Sequence, residues 1–278
     1  LKKHLMNKMF PYSRQKIDSQ DIKSVAKVMR SDYLTQGPIV NKLEKKIAKF
    51  SSAKYSVCVN SATSALHIAC MALGFKKNDL LWTVPNTFVA SSNCALHLGG
   101  KVDFVDINYK TGNIDLELLE QKLNKAKRNN RLPKILVPVH FAGLPTVQDK
   151  IWSLSKKYNF KIIEDASHSL GAKYKNVKTG SCKWSDITVF SLHPVKIITS
   201  AEGGVATTNK KEIYEIMQAL KSHGITKNKK NFFNKSMGSW YYEQQYLGLN
   251  FRMNEISAAL GLSQLNKINK FVKERNKI

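Results

Sequence analysis

Short runs of β-branched and aliphatic residues alternate along the chain with stretches whose apolar positions recur at helical spacing. Tyr55-Ser56-Val57-Cys58-Val59 predicts a strand, and Ser61 to Leu73 a helix after it. Leu80 to Val84 predicts a second strand, followed by a helix from about Thr87 to Leu98, and Lys101 to Val105 a third strand. Leu116, Leu119 and Leu123 fall on one helical face, so Asp115 to Lys127 reads as a helix. Ile135 to Val139 is a strand, Val147 to Tyr158 a helix and Lys161 to Glu164 a strand. Ile187 to Ser191 and Gly204 to Thr207 complete seven strands, and Asn254 to Ile278 reads as one final helix. This β-α alternation predicts an α/β fold: a mostly parallel seven-stranded sheet sandwiched by helices.

Such sheets bind ligands beyond the C-terminal ends of their strands. Four polar clusters fall there: Asn60-Ser61-Ala62-Thr63-Ser64, Asn86-Thr87-Phe88, Asp165-Ala166-Ser167-His168 and Ser191-Leu192-His193-Pro194-Val195-Lys196. The first joins a strand to a helix, where free N–H groups and the positive dipole end suit an anion such as phosphate. A plain N-cap explains the same residues equally well. Asp165 ends a buried strand, where a carboxylate can hold a protonated ring nitrogen, cap a helix or bind a metal. Lys196 carries an amine able to form a Schiff base once partly desolvated. Phe88 can lie against a flat ring or pack in the core.

Charge alters this picture little. Lys and Arg number 45 against 20 Asp and Glu, a net of +25. The lysines are spread along the chain, and no zinc-finger spacing, basic heptad pattern or aromatic RNA-binding signature accompanies them, so nucleic acid is not the expected partner. Positive surroundings would suit a nucleotide-sugar substrate. Cys58, Cys70, Cys94 and Cys182 form no Cys-x-x-Cys pair and no metal-like cluster, and read as small buried hydrophobes in a reducing compartment. With no apolar run of membrane-spanning length and no signal-peptide core after Leu1, the expectation is a cytoplasmic protein with no membrane contact and no metal.

Together these motifs resemble the DegT/StrS family of pyridoxal-phosphate (PLP) dependent sugar aminotransferases, which have the type I aminotransferase fold. The match includes Pro11-Tyr12-Ser13, Ser31 to Pro38, Asn60 to Leu66, Glu164 to Ala172, Ser191 to Gly204 and Leu249 to Ile256. Within the family the chain is most similar to members that aminate C4 of a UDP-linked 4-keto-6-deoxy-N-acetylhexosamine on the way to pseudaminic acid. Leu34 to Gly37, Ser222 to Ile225 and Trp240 to Glu243 carry that finer likeness.

The resemblance implies the following roles. Lys196 is the Schiff-base lysine and proton shuttle, and Asp165 pairs with the pyridine nitrogen. His168 sits beside the ring and Phe88 stacks on it. Ala62, Thr63, Ser64 and Ser191 hold the phosphate, with Asn250 reaching in from the second subunit of a homodimer. Tyr12, Asp32, Tyr33, Leu34, Thr35 and His193 contact the sugar nucleotide, and an amino-acid donor, L-glutamate by resemblance, supplies the nitrogen. Dehydrating relatives carry His in place of the Schiff-base lysine, so the presence of Lys196 argues against that chemistry. Another nucleotide sugar as acceptor, or a truncated PLP-binding product without turnover, stays open. Leu192 departs from the Phe of many relatives.

Relatives also continue into a smaller C-terminal domain. Residues 1–253 are therefore expected to form the PLP-binding domain with its N-terminal substrate-contacting segment, and 254–278 the start of a connecting helix to a missing, truncated domain. On that basis Leu265, Ile268, Phe271 and Val272 should lose part of their covering.

Overall fold

A computed structural model describes residues 13–233 and 238–277. Seven strands form the central sheet: β1 (Tyr55–Val59), β2 (Leu80–Thr83), β3 (Lys101–Phe104), β4 (Ile135–Leu136), β5 (Lys161–Asp165), β8 (Ile187–Ser191) and β9 (Gly204–Thr208). Two short hairpins lie outside it: β6 (Lys173–Tyr174) with β7 (Val177–Lys178), and β10 (Ile225–Thr226) with β11 (Glu243–Gln244). The sheet order is β1-β9-β8-β5-β4-β2-β3, and β9 alone runs antiparallel to its neighbours. All seven predicted strands are present. β4 is shorter than expected because Pro138 has no N–H to give to the ladder. Pairing resumes beyond it, with His140 N–H donating to the Asp165 carbonyl at 3.0 Å.

Successive strand residues point to opposite faces, so each strand serves two cores. Val57, Val59, Ile163, Val189 and Ala206 face α3 (Ala62–Ala72), α4 (Ala90–Leu96) and α7 (Lys211–Leu220). On the opposite face, Cys58, Phe190, Leu192 and Val205 pack with α2 (Pro38–Ser51), α8 (Glu255–Leu265) and α9 (Ile268–Arg275). Further along that face, Trp82, Leu136 and Ile162 meet α5 (Leu116–Arg128) and α6 (Gln148–Tyr158). The result is a three-layer sandwich with helices on both sides of a buried sheet, as the alternation of the sequence predicts.

Two expectations about helices are corrected. The helix expected over 87–98 begins at Ala90. Ahead of it, Asn86 Nδ2 donates to the Gly112 carbonyl at 2.9 Å, and the Thr87 and Ser91 hydroxyls lie 2.9 Å apart. The long-range bond of Asn86 and the local Thr87–Ser91 pair accompany the turn ahead of α4. The single helix expected over 254–278 is two, α8 and α9, broken at Asn266 and Lys267. The break lets the Lys267 ammonium meet Asp18 at 2.8 Å and Asp21 at 2.6 Å, at the start of α1 (Ser19–Met29).

It also turns Ile268 and Phe271 inward, where they are buried with Leu265 against Leu43 and Ile47 of α2. The loss of covering expected for these residues is not seen, since α2 and the sheet of this chain provide it; Val272 is half-buried at the rim of the same core. Among the described residues no helix is long and apolar enough to cross a membrane.

Candidate active site

Register builds the floor of the site. Ser191 pairs with Gly204, and Gly204 with Val59, so three strands end in one row. One strand over, Asp165 pairs with Val189. Asp165 and Ser191 share the face of Ile163 and Val189, the face that α3 and α4 cover.

Asp165 is only 6% exposed and its carboxylate is well furnished. Oδ1 accepts from the Ser167 N–H at 3.1 Å and the Ser167 hydroxyl at 2.6 Å, a turn closed by the carboxylate itself. Oδ2 accepts from the hydroxyl of Ser91, on α4, at 2.6 Å.

Lys196 sits in a tight loop after β8. Its own N–H donates to the His193 carbonyl at 2.9 Å, and Ser200 N–H closes the loop onto the Leu192 carbonyl at 2.9 Å. Arg275 of α9 donates to the Lys196 carbonyl at 3.0 Å. The Lys196 ammonium lies 2.5 Å from His168 Nε2. Burial pulls the Lys196 amine below the usual lysine range, and the nearby negative Asp165 only partly offsets this. Burial likewise lowers His168, helped by the positive charges of Lys196 and Arg275 and opposed by Asp165. A neutral imidazole is therefore available to accept from the ammonium, and the lysine gives up its proton more readily than a surface lysine does.

The start of α3 forms a second arm. Ser61 caps it, its Oγ accepting from Ser64 N–H at 3.1 Å. The Ala62 and Thr63 N–H groups belong to the unpaired first turn. Thr63 is exposed, whereas Ser64 is buried and donates its hydroxyl proton to Asn60 Oδ1 at 2.6 Å. Gly204 is required beneath this arm, because a Cβ there would lie 2.3–2.4 Å from Ser61 and Ala62 backbone atoms.

The other residues expected at the site are exposed. Phe88 is 75% exposed, and Asp32, Tyr33, Leu34, Thr35, His193 and Asn250 are exposed as well. The segment Asp32 to Thr35 is pinned to α8, with Glu255 N–H donating to the Leu34 carbonyl at 3.0 Å. The Phe251 carbonyl accepts from the Asn60 N–H at 2.9 Å, which pins the segment carrying the exposed Asn250 to the end of β1. Among the described residues, no hydrogen bond joins the side chains of Asp32 to Thr35 to the Lys196 cluster. Tyr12 lies outside the described residues.

Three contributors have roles that the sequence patterns do not assign. Ser91 and Ser167 hold Asp165, and the fully buried Glu255 caps α2 through Ile39 N–H at 2.7 Å and Val40 N–H at 3.0 Å. Only the four-residue spacing from Thr87 to Ser91 hints at the first of them. Among the described residues no cluster of His, Cys, Asp or Glu is arranged to hold a metal ion.

The donor set fits a flat heteroaromatic group with an anionic tail. A deprotonatable amine could attack an electrophilic carbon, a buried carboxylate could accept from a protonated ring nitrogen, and a helix start with hydroxyls could hold the anion.

The sequence of residues 15–278 matches the model of the DegT/DnrJ/EryC1/StrS aminotransferase family. A UDP-4-amino-4,6-dideoxy-N-acetyl-beta-L-altrosamine transaminase of Campylobacter jejuni is 41% identical over 97% of this chain and 68% of its own length. The structure of Helicobacter pylori PseC, an aminotransferase involved in the biosynthesis of pseudoaminic acid, is 37% identical with a TM-score of 0.83; the match covers 95% of this chain and 67% of that one. The PLP form of Spr1654 from Streptococcus pneumoniae is 29% identical with a TM-score of 0.83, covering 96% of this chain and 69% of its own.

Proposed function

Because the chain belongs to the DegT/DnrJ/EryC1/StrS aminotransferase family, we propose that it moves an amino group from L-glutamate to C4 of a UDP-linked 4-keto-6-deoxy-N-acetylhexosamine. Its fold is the type I aminotransferase fold and its cofactor is PLP. The contact of Lys196 with His168 beside Asp165, at the C-terminal ends of β5 and β8, is the observation that carries this reading. The altrosamine transaminase supports the choice of sugar.

When bound, PLP supplies an electron-withdrawing ring that stabilises negative charge on the carbon bearing the nitrogen. The protein supplies the rest. Lys196 Nζ would anchor the cofactor and, as a free amine, would hold and move the proton. Its lowered proton affinity suits an amine that must both take and give a proton. His168 Nε2 accepts from that amine and keeps it directed. Asp165 would pair with the ring nitrogen and hold its proton in place. Phe88 would cover one face of the ring. Ala62, Thr63, Ser64 and Ser191 bind the phosphate.

Asn250 completes the phosphate site from a second copy of the chain, so the working unit is a homodimer. The exposed apolar side chains Phe88, Tyr33, Leu34, Tyr246 and Leu247 support such a covering partner. Tyr12, Asp32, Tyr33, Leu34, Thr35 and His193 contact the sugar nucleotide, whose diphosphate the net positive charge favours. Residues 1–253 act as the cofactor-binding domain and 254–278 as a connecting segment. Four free, buried cysteines suit a cytoplasmic, reducing setting.

A panel of UDP-linked 4-keto sugars tests the proposal. Each is incubated with the protein, PLP and L-glutamate, and mass spectrometry follows exchange of the carbonyl oxygen for an amino group. The 6-deoxy-N-acetylhexosamine should be aminated at C4, with one 2-oxoglutarate formed per sugar. Amination of another sugar in its place would reassign the acceptor.

A further inference from the structure

We propose that Ser91 is a positioning residue that aims the Asp165 carboxylate at the cofactor's ring nitrogen. Ser91 lies on α4, wholly buried, and its hydroxyl is 2.6 Å from Asp165 Oδ2. A carboxylate accepts through about four lone-pair sites on its two oxygens. Ser167 takes two of them at Oδ1, through its N–H and its hydroxyl. Ser91 takes one at Oδ2, which leaves one acceptor direction open on that same oxygen. The two serines thus fix the rotation of the carboxylate and reserve a single position for an incoming N–H.

The direction of the bonds follows from proton counting. An ionised carboxylate only accepts, so the one proton of Ser91 points at Asp165. The Ser91 oxygen must then accept from the Thr87 hydroxyl, 2.9 Å away. Thr87 immediately precedes Phe88 in the turn before α4. One relay, Thr87 to Ser91 to Asp165, therefore ties the segment presenting the Phe88 ring to the carboxylate at the ring nitrogen. A serine serving only as a satisfied core residue would need a partner too, but removing it would not change the properties of a bound cofactor.

The proposal rests on Asp165 being the partner of the ring nitrogen, and the test separates the two. Ser91→Ala, Ser91→Cys, Thr87→Val and Asp165→Asn are each loaded with PLP. For each, PLP affinity, the pH midpoint of the bound cofactor's visible band, and the rate and KM of the half-reaction with L-glutamate are measured. Loss of one hydrogen bond to a charged group corresponds to roughly 10- to 100-fold. Ser91→Ala should weaken PLP binding and slow the half-reaction by about tenfold or more on that scale, shift the pH midpoint, and leave KM for glutamate unchanged. Ser91→Cys, a weak donor of similar size, should fall between, and Thr87→Val should move the same readouts less.

A folded Ser91→Ala protein with native PLP affinity and an unmoved pH midpoint overturns the proposal. If Ser91→Ala does not fold, silent Ser91→Cys and Thr87→Val proteins overturn it equally. A crippled Asp165→Asn with a silent Ser91→Ala removes only Ser91 from the account. An unaffected Asp165→Asn removes Asp165 as well, and the proposal falls with it.

Discussion

Strand β5 ends in two adjacent carboxylates that point to opposite faces of the sheet. Glu164 turns toward α6, where it is 2% exposed and accepts from Thr188 Oγ1 at 2.6 Å, Ser185 Oγ at 3.1 Å and the Gln148 side-chain amide, with His140 Nε2 3.7 Å away. Asp165 turns toward α4 and accepts from Ser91 and Ser167. Both are buried acids that accept three hydrogen bonds each, so burial and the number of donors do not tell them apart. What differs is the remaining side. Glu164 is enclosed by interior residues, whereas Asp165 lies close enough to Lys196 and His168 for its charge to act on both. A buried acid becomes a reactive group when its surroundings leave one direction open.

Exchanging charge for a neutral amide at each position should separate the two roles most strongly. Asp165→Asn should lower turnover by on the order of 10²–10³-fold, the scale of losing one preorganised charge-stabilising group, while shifting the melting temperature little. Glu164→Gln should do the reverse: a loss of about 1–3 kcal/mol of stability for a disrupted buried bond, with near-normal turnover in the folded fraction. Parallel thermal melts and steady-state assays decide this. Equal effects of both variants on turnover would erase the distinction.

Acid unfolding gives a smaller and signed contrast. Burial pushes the Glu164 carboxyl up, but the His140 ring, Thr188 and Gln148 outweigh it and hold the group below its ordinary 4.5. Its stabilisation is therefore present above the unfolded value and lost as pH falls through the lower folded value. His168 sits on the other side of the sheet with its own value depressed from 6.5 by burial. The unfolded chain protonates this histidine first, so the folded state loses stability as pH falls below 6.5. Denaturant melts across pH should show Glu164→Gln flattening the curve in the carboxylate range and His168→Gln flattening it, more weakly, just below 6.5. A steeper acid loss in His168→Gln would contradict the sign.

The sheet was legible because each strand is a compact apolar run bounded by polar strand ends. Asp165, His168 and Lys196 were legible because those strand ends cluster their chemistry in sequence. The break after Leu265 was not, since it depends on Lys267 meeting Asp18 and Asp21 from the far end of the chain. Nor was Ser91, a serine among small helical residues that gains its meaning only when α4 packs over β5. The α4 start was misjudged for a related reason: Thr87 spends its hydroxyl on Ser91 and its backbone on a turn.

The central claim is that Lys196, desolvated and directed by His168 beside Asp165, is the amine that holds PLP. Borohydride reduction of the PLP-loaded protein, followed by peptide mapping, tests it directly. The account predicts a pyridoxyl group on Lys196 and none on the Lys196→Ala protein. A label on any other lysine, or undiminished labelling in Lys196→Ala, would contradict it.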